Sequence, residues 1–360
     1  MIWLFLVCLV LLVIVLQRRW AQWSLDQLEY TVSCDTLLAE PEQVLTLTSV
    51  IENHWFLPVL YIHLMEYLPG TAVLREDPAW IEEHAQITHR EVRVEETTYL
   101  LPRRRQINTL HFTLPERGWY RLGGMTLEAG DFLGLKEAFR QEDARRVVVV
   151  IPRRCESPDV LRTLGGFLGD ISVRRFILED PVLTVGFREY TGREPMKAIS
   201  WTQSARAGQL LVKQYDYTVD VTVTVLLNAE GGRRGQLEQC YSLARTVCET
   251  LEEKGIPYDF RTNGDLIGPM GPLPHVGEGL GRQHLNTILY GLGRANCRCV
   301  APLERLVEQS LRSVRQNQSF LVISPPMDAR QRLLTERLRV VAGAVTVLTG
   351  EDLSGEEAAS

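Results

Sequence analysis

Apolar and polar residues alternate along the first part of the chain with a period of two. Over 44–50, Leu45 and Leu47 interleave with Thr46 and Thr48, and apolar, β-branched or aromatic stretches follow at 59–68, 92–99, 109–114, 119–127 and 146–151. Side chains of a strand point alternately to its two faces, so this pattern predicts half-buried strands. Turn-forming residues lie between them, at Glu52-Asn53, Pro69-Gly70, 115–118 and Gly130-Asp131. Six or seven short strands with no convincing amphipathic helix among them predict a β-sandwich over 24–152. Past residue 215 the pattern changes. Val219, Val221, Val223 and Val225 alternate with Asp220, Thr222 and Thr224, and then Leu237, Cys240, Tyr241, Ala244, Val247, Cys248 and Leu251 recur at helical spacing. Strands are predicted again at 257–260, 320–323 and 345–348, with helices near 284–292 and 303–314 and from an Asp328 cap through Leu338. Strand and helix in alternation predict a doubly wound, mainly parallel sheet over 218–350. Residues 153–217 form a connecting segment, and the acidic tail 351–360 is predicted to be disordered.

Ahead of the sandwich, 2–16 is an unbroken apolar run, with Trp3 near its start and Gln17-Arg18-Arg19, Trp20 and Trp23 past its end. A bilayer span needs about 20 residues. Interfacial tryptophans and snorkelling arginines can extend a shorter run. A cleaved signal peptide would carry basic residues before the run and a small-residue site after it. Neither feature is present. The expectation is a single membrane helix over 1–23, and arginines on the C-terminal flank alone put the remaining residues in the cytoplasm. Charge and cysteine content agree with that picture. Thirty-nine basic and 45 acidic residues give a net charge of −6, which argues against a nucleic-acid partner. Seven cysteines over 360 residues make no disulfide framework, and no Cys-x-x-Cys pair is present.

Catalytic patterns are missing. The histidines show no zinc-ligand spacing, and there is no G-x-S-x-G elbow or GxxxxGK[ST] phosphate loop. Around Gly268 and Gly271, Pro269 and Pro272 lack the N–H groups that a phosphate cradle needs. No catalytic residue, metal site or cofactor is predicted. One segment does stand out: Gly186-Phe187-Arg188-Glu189-Tyr190-Thr191-Gly192, then Lys197-Ala198-Ile199-Ser200-Trp201, Ser204-Ala205-Arg206 and Leu210-Leu211-Val212-Lys213. It interleaves aromatics, arginines and glycines without a clear period. Two readings are open. Arg188, Trp201 and Arg206 could form a structural clamp, with Trp201 buried between an irregular loop and the neighbouring sheet. Alternatively Arg188, Glu189, Tyr190, Glu194, Trp201 and Arg206 could present a docking surface, since arginine both stacks on aromatics and forks onto carboxylates.

In this order the segment resembles the signature of the bacterial domain-of-unknown-function family fifty-eight. That signature runs Arg-Glu-Tyr, two residues, Gly-Asp, two residues, Arg-x-Ile-x-Trp, then Ala-Arg and a Leu-Val-basic strand. Arg188, Glu189, Tyr190, Ile199, Trp201, Ala205 and Arg206 fall on it. Upstream, Arg117-Gly118-Trp119-Tyr120-Arg121-Leu122-Gly123, then Gly130-Asp131-Phe132-Leu133-Gly134-Leu135, and Ile151-Pro152-Arg153 resemble further parts of the family pattern. Arg193-Glu194 stands where the family has Gly-Asp, and Lys197 where it has arginine. The resemblance implies a von Willebrand factor A-like domain after the β-rich region. Asn228, Glu230 and Gly232 occupy the positions of that domain's Asp-x-Ser-x-Ser metal motif, and one carboxylate with one amide is too few oxygens for magnesium or calcium. It also implies a MoxR-type AAA+ ATPase as partner. The functional expectation is a membrane-anchored, non-enzymatic adaptor or assembly factor. The alternative is a cell-envelope hydrolase or transglutaminase-associated component, against which stands the missing nucleophile–base motif. An extracellular adhesive A domain is disfavoured by Arg18-Arg19 and the lost metal motif.

Overall fold

A computed structural model describes residues 22–130, 137–143, 146–177, 184–192, 194–215, 222–268, 275–313, 318–342 and 344–350. The apolar run 2–16, the turn at 131–135, most of the Gly268–Gly271 loop, Arg193 and the acidic tail lie outside these residues. The chain divides into two compact units. One reaches Arg153 and includes Leu292–Arg294, and the other holds Arg154–Gly291 and the chain from Ala295 onward.

The first unit runs β1 (Leu28–Cys34), β2 (Leu38–Ala39), β3 (Val44–Asn53), β4 (Val59–Pro69), β5 (Val73–Leu74), α1 (Pro78–His84), β6 (Ala85–Ile87), β7 (Glu91–Leu100), β8 (Arg105–Thr113), β9 (Gly118–Leu122), β10 (Gly124–Gly130), β11 (Glu137–Glu142) and β12 (Arg146–Val150). Two sheets, ordered β1-β3-β8-β5 and β11-β10-β4-β7-β6, carry most of it, with a small sheet β2-β12-β9. The alternation seen in the sequence becomes burial. Tyr30, Leu45, Leu47 and Phe112 of one sheet and Leu64, Val94, Met125 and Leu127 of the other share one core. A polar layer crosses that core. The Tyr30 hydroxyl donates to buried Glu66 at 2.8 Å, while Gln106 and Asn108 donate to Glu96 at 2.9 and 2.5 Å. The stretch 119–127 is not one strand: Gly123 sits at φ 83° between β9 and β10, and a Cβ there would lie 2.6 Å from Val32 Cγ1. Strand β1 hydrogen-bonds to β3 along one edge. Arg140 donates to the carbonyls of Leu25 and Leu28, and Arg146 to that of Val32, so side chains occupy acceptors that another strand could have used.

The second unit runs α2 (Pro158–Ile177), β13 (Thr184–Glu189), a single 3₁₀ turn (Met196–Ala198), α3 (Trp201–Ala207), β14 (Leu211–Tyr215), β15 (Val223–Leu227), α4 (Arg234–Glu253), β16 (Tyr258–Thr262), β17 (Gly264–Leu266), β18 (His275–Gly279), α5 (Arg282–Arg294), β19 (Ala295–Cys299), α6 (Leu303–Arg312), β20 (Ser319–Ser324), α7 (Ala329–Val341) and β21 (Ala344–Thr349). Its largest sheet is ordered β18-β16-β15-β20-β21. Strands β15 and β20 are buried along their whole length, as covered parallel strands must be. Two short antiparallel ladders, β13–β14 and β17–β19, stand apart from it.

The expected architecture needs correction. Among the described residues no helix is long and apolar enough to cross a membrane, and the helix expected over 1–23 falls almost wholly outside those residues. The protein is mostly sandwich-like sheet with some helices. Among the described residues parallel pairing is confined to β2–β12 and to β15, β16, β20 and β21, while β18 runs antiparallel along the sheet edge. Nor does strand alternate cleanly with helix, because β17 and β19 pair with each other instead of extending the large sheet. The expectation of a doubly wound von Willebrand factor A-like domain is therefore withdrawn. Helical spacing over 237–251 identified a helix, but a helix between strands does not by itself specify a fold family.

Candidate functional site: the β13–α3–β14 module

The segment singled out in the sequence folds into a small module of its own. Strands β13 and β14 pair antiparallel, with Phe187 opposite Lys213, Arg188 opposite Val212 and Glu189 opposite Leu211. The chain then turns back. Tyr190 N donates to Leu210 O at 2.9 Å, Ser200 N donates to Leu211 O at 2.8 Å, and Ile199 bridges Val212. Helix α3 closes over this ladder and stops at Gly208, whose φ of 71° takes a left-handed C-cap that favours glycine. Ser204 looks inward and its hydroxyl accepts from Leu211 N at 2.8 Å. The module's interior is therefore Ile199, Ser200, Ser204 and Val212, all buried.

Glu194 organises the loop. Its carboxylate accepts from Arg188 Nη1 at 2.5 Å, from Thr191 Oγ1 at 2.8 Å and from Thr191 N at 3.1 Å. The Arg188 guanidinium, and after it the Thr191 hydroxyl, hold this carboxyl down at about 2. Glu194 thus closes the loop with a charge-assisted lock, and Gly192, at φ 85°, supplies the turn beside it.

The clamp reading does not survive this geometry. Trp201, expected to be buried, begins α3 with 59% of its surface exposed. Arg206 is exposed in the last turn of α3, and Arg188 spends its ion pair inside the module. Of the six residues singled out, the structure joins Arg188 and Glu194 directly. Glu189 is exposed on β13, Tyr190 is partly buried at the strand end, and Trp201 and Arg206 lie at opposite ends of α3. Thr191, Ile199, Ser204 and Val212 were placed in the segment from the sequence but not identified as the residues that hold the module together. Gly208 was the available signal, since glycine after a short run of helix formers marks a helix stop.

The outside of the module is apolar and basic. Phe187, Met196, Trp201 and Leu210 are exposed large hydrophobics. Arg188, Lys197, Arg206 and Lys213 are exposed as well, with Glu189 the exposed acid among the described residues of this segment. Aromatic and arginine side chains of this kind are the groups that dominate protein–protein binding energy.

A second polar cluster lies at the carboxyl ends of β15, β16 and β20, where the metal-motif positions fall. Asn228 Oδ1 accepts from Asn263 Nδ2 at 2.8 Å and from Glu230 N at 3.0 Å, while its Nδ2 donates to Ser324 Oγ at 2.9 Å. Asn263 Oδ1 accepts from Ala229 N at 2.7 Å, and Asn263 Nδ2 also donates to Ala301 O at 2.9 Å. Glu230 Oε2 accepts from Leu303 N at 2.7 Å, at the first turn of α6. At Gly232 a Cβ would meet Leu237 Cδ2 at 2.6 Å. Asn228 Oδ1, Asn263 Oδ1 and Glu230 Oε2 thus tie these loops together by accepting backbone and amide N–H groups. Among the described residues no group of three or more His, Cys, Asp or Glu side chains is arranged to hold a metal ion.

No family model matches the chain, and no curated protein matches it. The resemblance to family fifty-eight thus stands on the quoted motif alone. Among solved structures, the chain is similar to Salmonella α2-macroglobulin reacted with methylamine, at 9% identity and a TM-score of 0.27, over 35% of this chain and 9% of that one. The CARDB domain of the PF1109 protein from Pyrococcus furiosus, in complex with di-metal ions, is 15% identical with a TM-score of 0.21, over 35% of this chain and 94% of that one. Spo0M, a sporulation control protein from Bacillus subtilis, is 12% identical with a TM-score of 0.19, over 46% of this chain and 58% of that one. Likenesses this distant carry no argument about the chain.

Proposed function

We propose that this protein is a non-enzymatic adaptor or assembly factor, and that the β13–α3–β14 module is the surface through which it engages a MoxR-type AAA+ ATPase. The observation that supports this reading is the exposure of Trp201 on a module whose interior is already satisfied. A large aromatic side chain left in water, on a module that also exposes Arg188, Lys197, Arg206 and Lys213, gains by being covered. The Arg188–Glu194 lock fixes the loop that presents these groups, which lowers the ordering cost of binding. The ATPase enters through the family resemblance, and an acidic surface around an apolar pocket is the chemistry the module fits. The test uses the full chain and a purified MoxR-type ATPase. Trp201→Ala and Arg206→Glu should each weaken binding about tenfold or more, as anchor residues do. Their unfolding midpoints should match wild type, because both side chains are exposed. Normal binding by both variants refutes the proposal.

A further inference from the structure

Helix α7 presents a second apolar stripe on its outward side. Its inward face is Gln331, Leu334, Thr335 and Leu338, all buried. At 100° per residue the opposite face is centred on Leu333, Glu336 and Val340. Leu333 is 62% exposed and Val340 87%. Arg332 and Arg339 line one side of this stripe and Arg330 and Arg337 the other. Arg330 pairs with Glu304 of α6 and Arg339 with Glu336. Arg332 and Arg337 are exposed and show no ion pair among the described residues. A surface helix ordinarily turns polar residues outward. Single exposed apolar residues are common, but Leu333 and Val340 stand seven residues apart on one line, the repeat of a two-helix seam.

We infer that this face of α7 is a docking surface for an amphipathic helix of a partner protein, one whose apolar seam is flanked by carboxylates. Charge decides between occupants. A second copy of this chain would set arginine rows against arginine rows. A lipid surface would have to take in Glu336 for only two apolar side chains, whereas a helix docked along the Leu333–Val340 line leaves Glu336 on its flank, paired with Arg339. An acidic helix covers Leu333 and Val340 with its own seam, and places carboxylates within reach of Arg332 and Arg337. This inference is independent of the β13–α3–β14 module, because no residue is shared.

The experiment uses the full chain and a synthetic helical peptide of about three heptads, leucine at its seam positions and glutamate beside them. The same peptide with lysine for glutamate, and phosphatidylcholine vesicles containing phosphatidylserine, are the comparison probes. Expected is saturable binding of the glutamate peptide only, weakened about tenfold by Leu333→Asp and by Val340→Asp. Arg332→Glu with Arg337→Glu should weaken it further at low salt than at high salt. Trp201→Ala should bind as wild type does, and every variant should keep its unfolding midpoint. Failure to bind the glutamate peptide, equal binding of the lysine peptide, binding unaffected by these substitutions, or binding of vesicles in place of peptide would each overturn the inference. So would a wild-type dimer in solution that Leu333→Asp dissolves.

Discussion

Replacing Asn263 with alanine tests whether the knot at the strand ends is structural. The side chain makes three hydrogen bonds there: from Ala229 N, to Asn228 Oδ1 and to Ala301 O. Alanine removes all three at once. The N–H of buried Ala229 loses its acceptor, which costs about 1–3 kcal/mol for an unsatisfied buried group. Asn228 Oδ1 keeps its bond from Glu230 N, and Ala301 O keeps one from Cys299 Sγ, so each of these losses is an ordinary one of about 0.5–1.5 kcal/mol. The sum is roughly 4 kcal/mol, a large share of the ~5–15 kcal/mol that holds a domain folded. Asn263→Asp should be no better tolerated, because it turns an acceptor toward Asn228 Oδ1 and Ala301 O. A chain of two units can unfold in two steps. The assay is therefore urea unfolding followed by helical circular dichroism, since α2 and α4, the longest described helices, belong to the second unit. Arg206→Ala, exposed in the same unit, is the control and should stay within about 0.5 kcal/mol of wild type. Magnesium and chelator should leave the wild-type midpoint where it is, because a ligand specific to the folded state would raise it. A midpoint unmoved by Asn263→Ala, or a magnesium-dependent rise that Glu230→Ala abolishes, refutes the account of these residues as a closed hydrogen-bonded knot.

Further outcomes are expected elsewhere. Gly123→Ala should destabilise the first unit by about 2–4 kcal/mol, combining strain at φ 83° with crowding against Val32, and thermal unfolding checks it. Burial holds the Glu66 carboxyl above its usual range against the hydrogen bonds from Tyr30 and Ser49. A carboxyl raised in the folded state binds its proton more tightly there than in the unfolded chain. Its contribution is greatest below the unfolded value and is lost as pH rises through the folded one. Glu66→Gln should flatten the fall in melting temperature across that window, and an unchanged slope would count against this reading. We further propose that the protein sits at the cell membrane through the apolar run 2–16, with its folded units facing the cytoplasm. Cys155 is buried and a poor reporter of this, whereas Cys299 is exposed. A membrane-impermeant thiol reagent should modify Cys299 after lysis but not in intact cells.

Most strands and helices were legible because their burial is periodic. Leu45 and Leu47 alternate with threonines and are buried as the alternation requires, and the apolar face of α4 is the set of residues spaced for it. Where the reading failed, a local feature hid the period. Helix α2 buries Val160, Leu164, Phe167, Leu168 and Ile171 at helical spacing, yet Gly165, Gly166 and Gly169 lie inside it, and glycine is a poor helix former. Gly123 splits one apolar stretch into two strands for a steric reason that depends on Val32, about ninety residues earlier in the chain. The candidate module was located by composition, because arginine, tryptophan and glycine cluster there without a period. Its interior was not. Whether Trp201 is buried depends on which face of a seven-residue helix meets the ladder, and that is set by Ser204 and Val212 rather than by the tryptophan. A large apolar side chain is expected inside on average, so its exposure here is the informative observation. The same reasoning applies to α7. Leu333 and Val340 are one stripe too many for a helix that already buries Leu334 and Leu338, and a surplus of that kind becomes visible only when burial is known residue by residue.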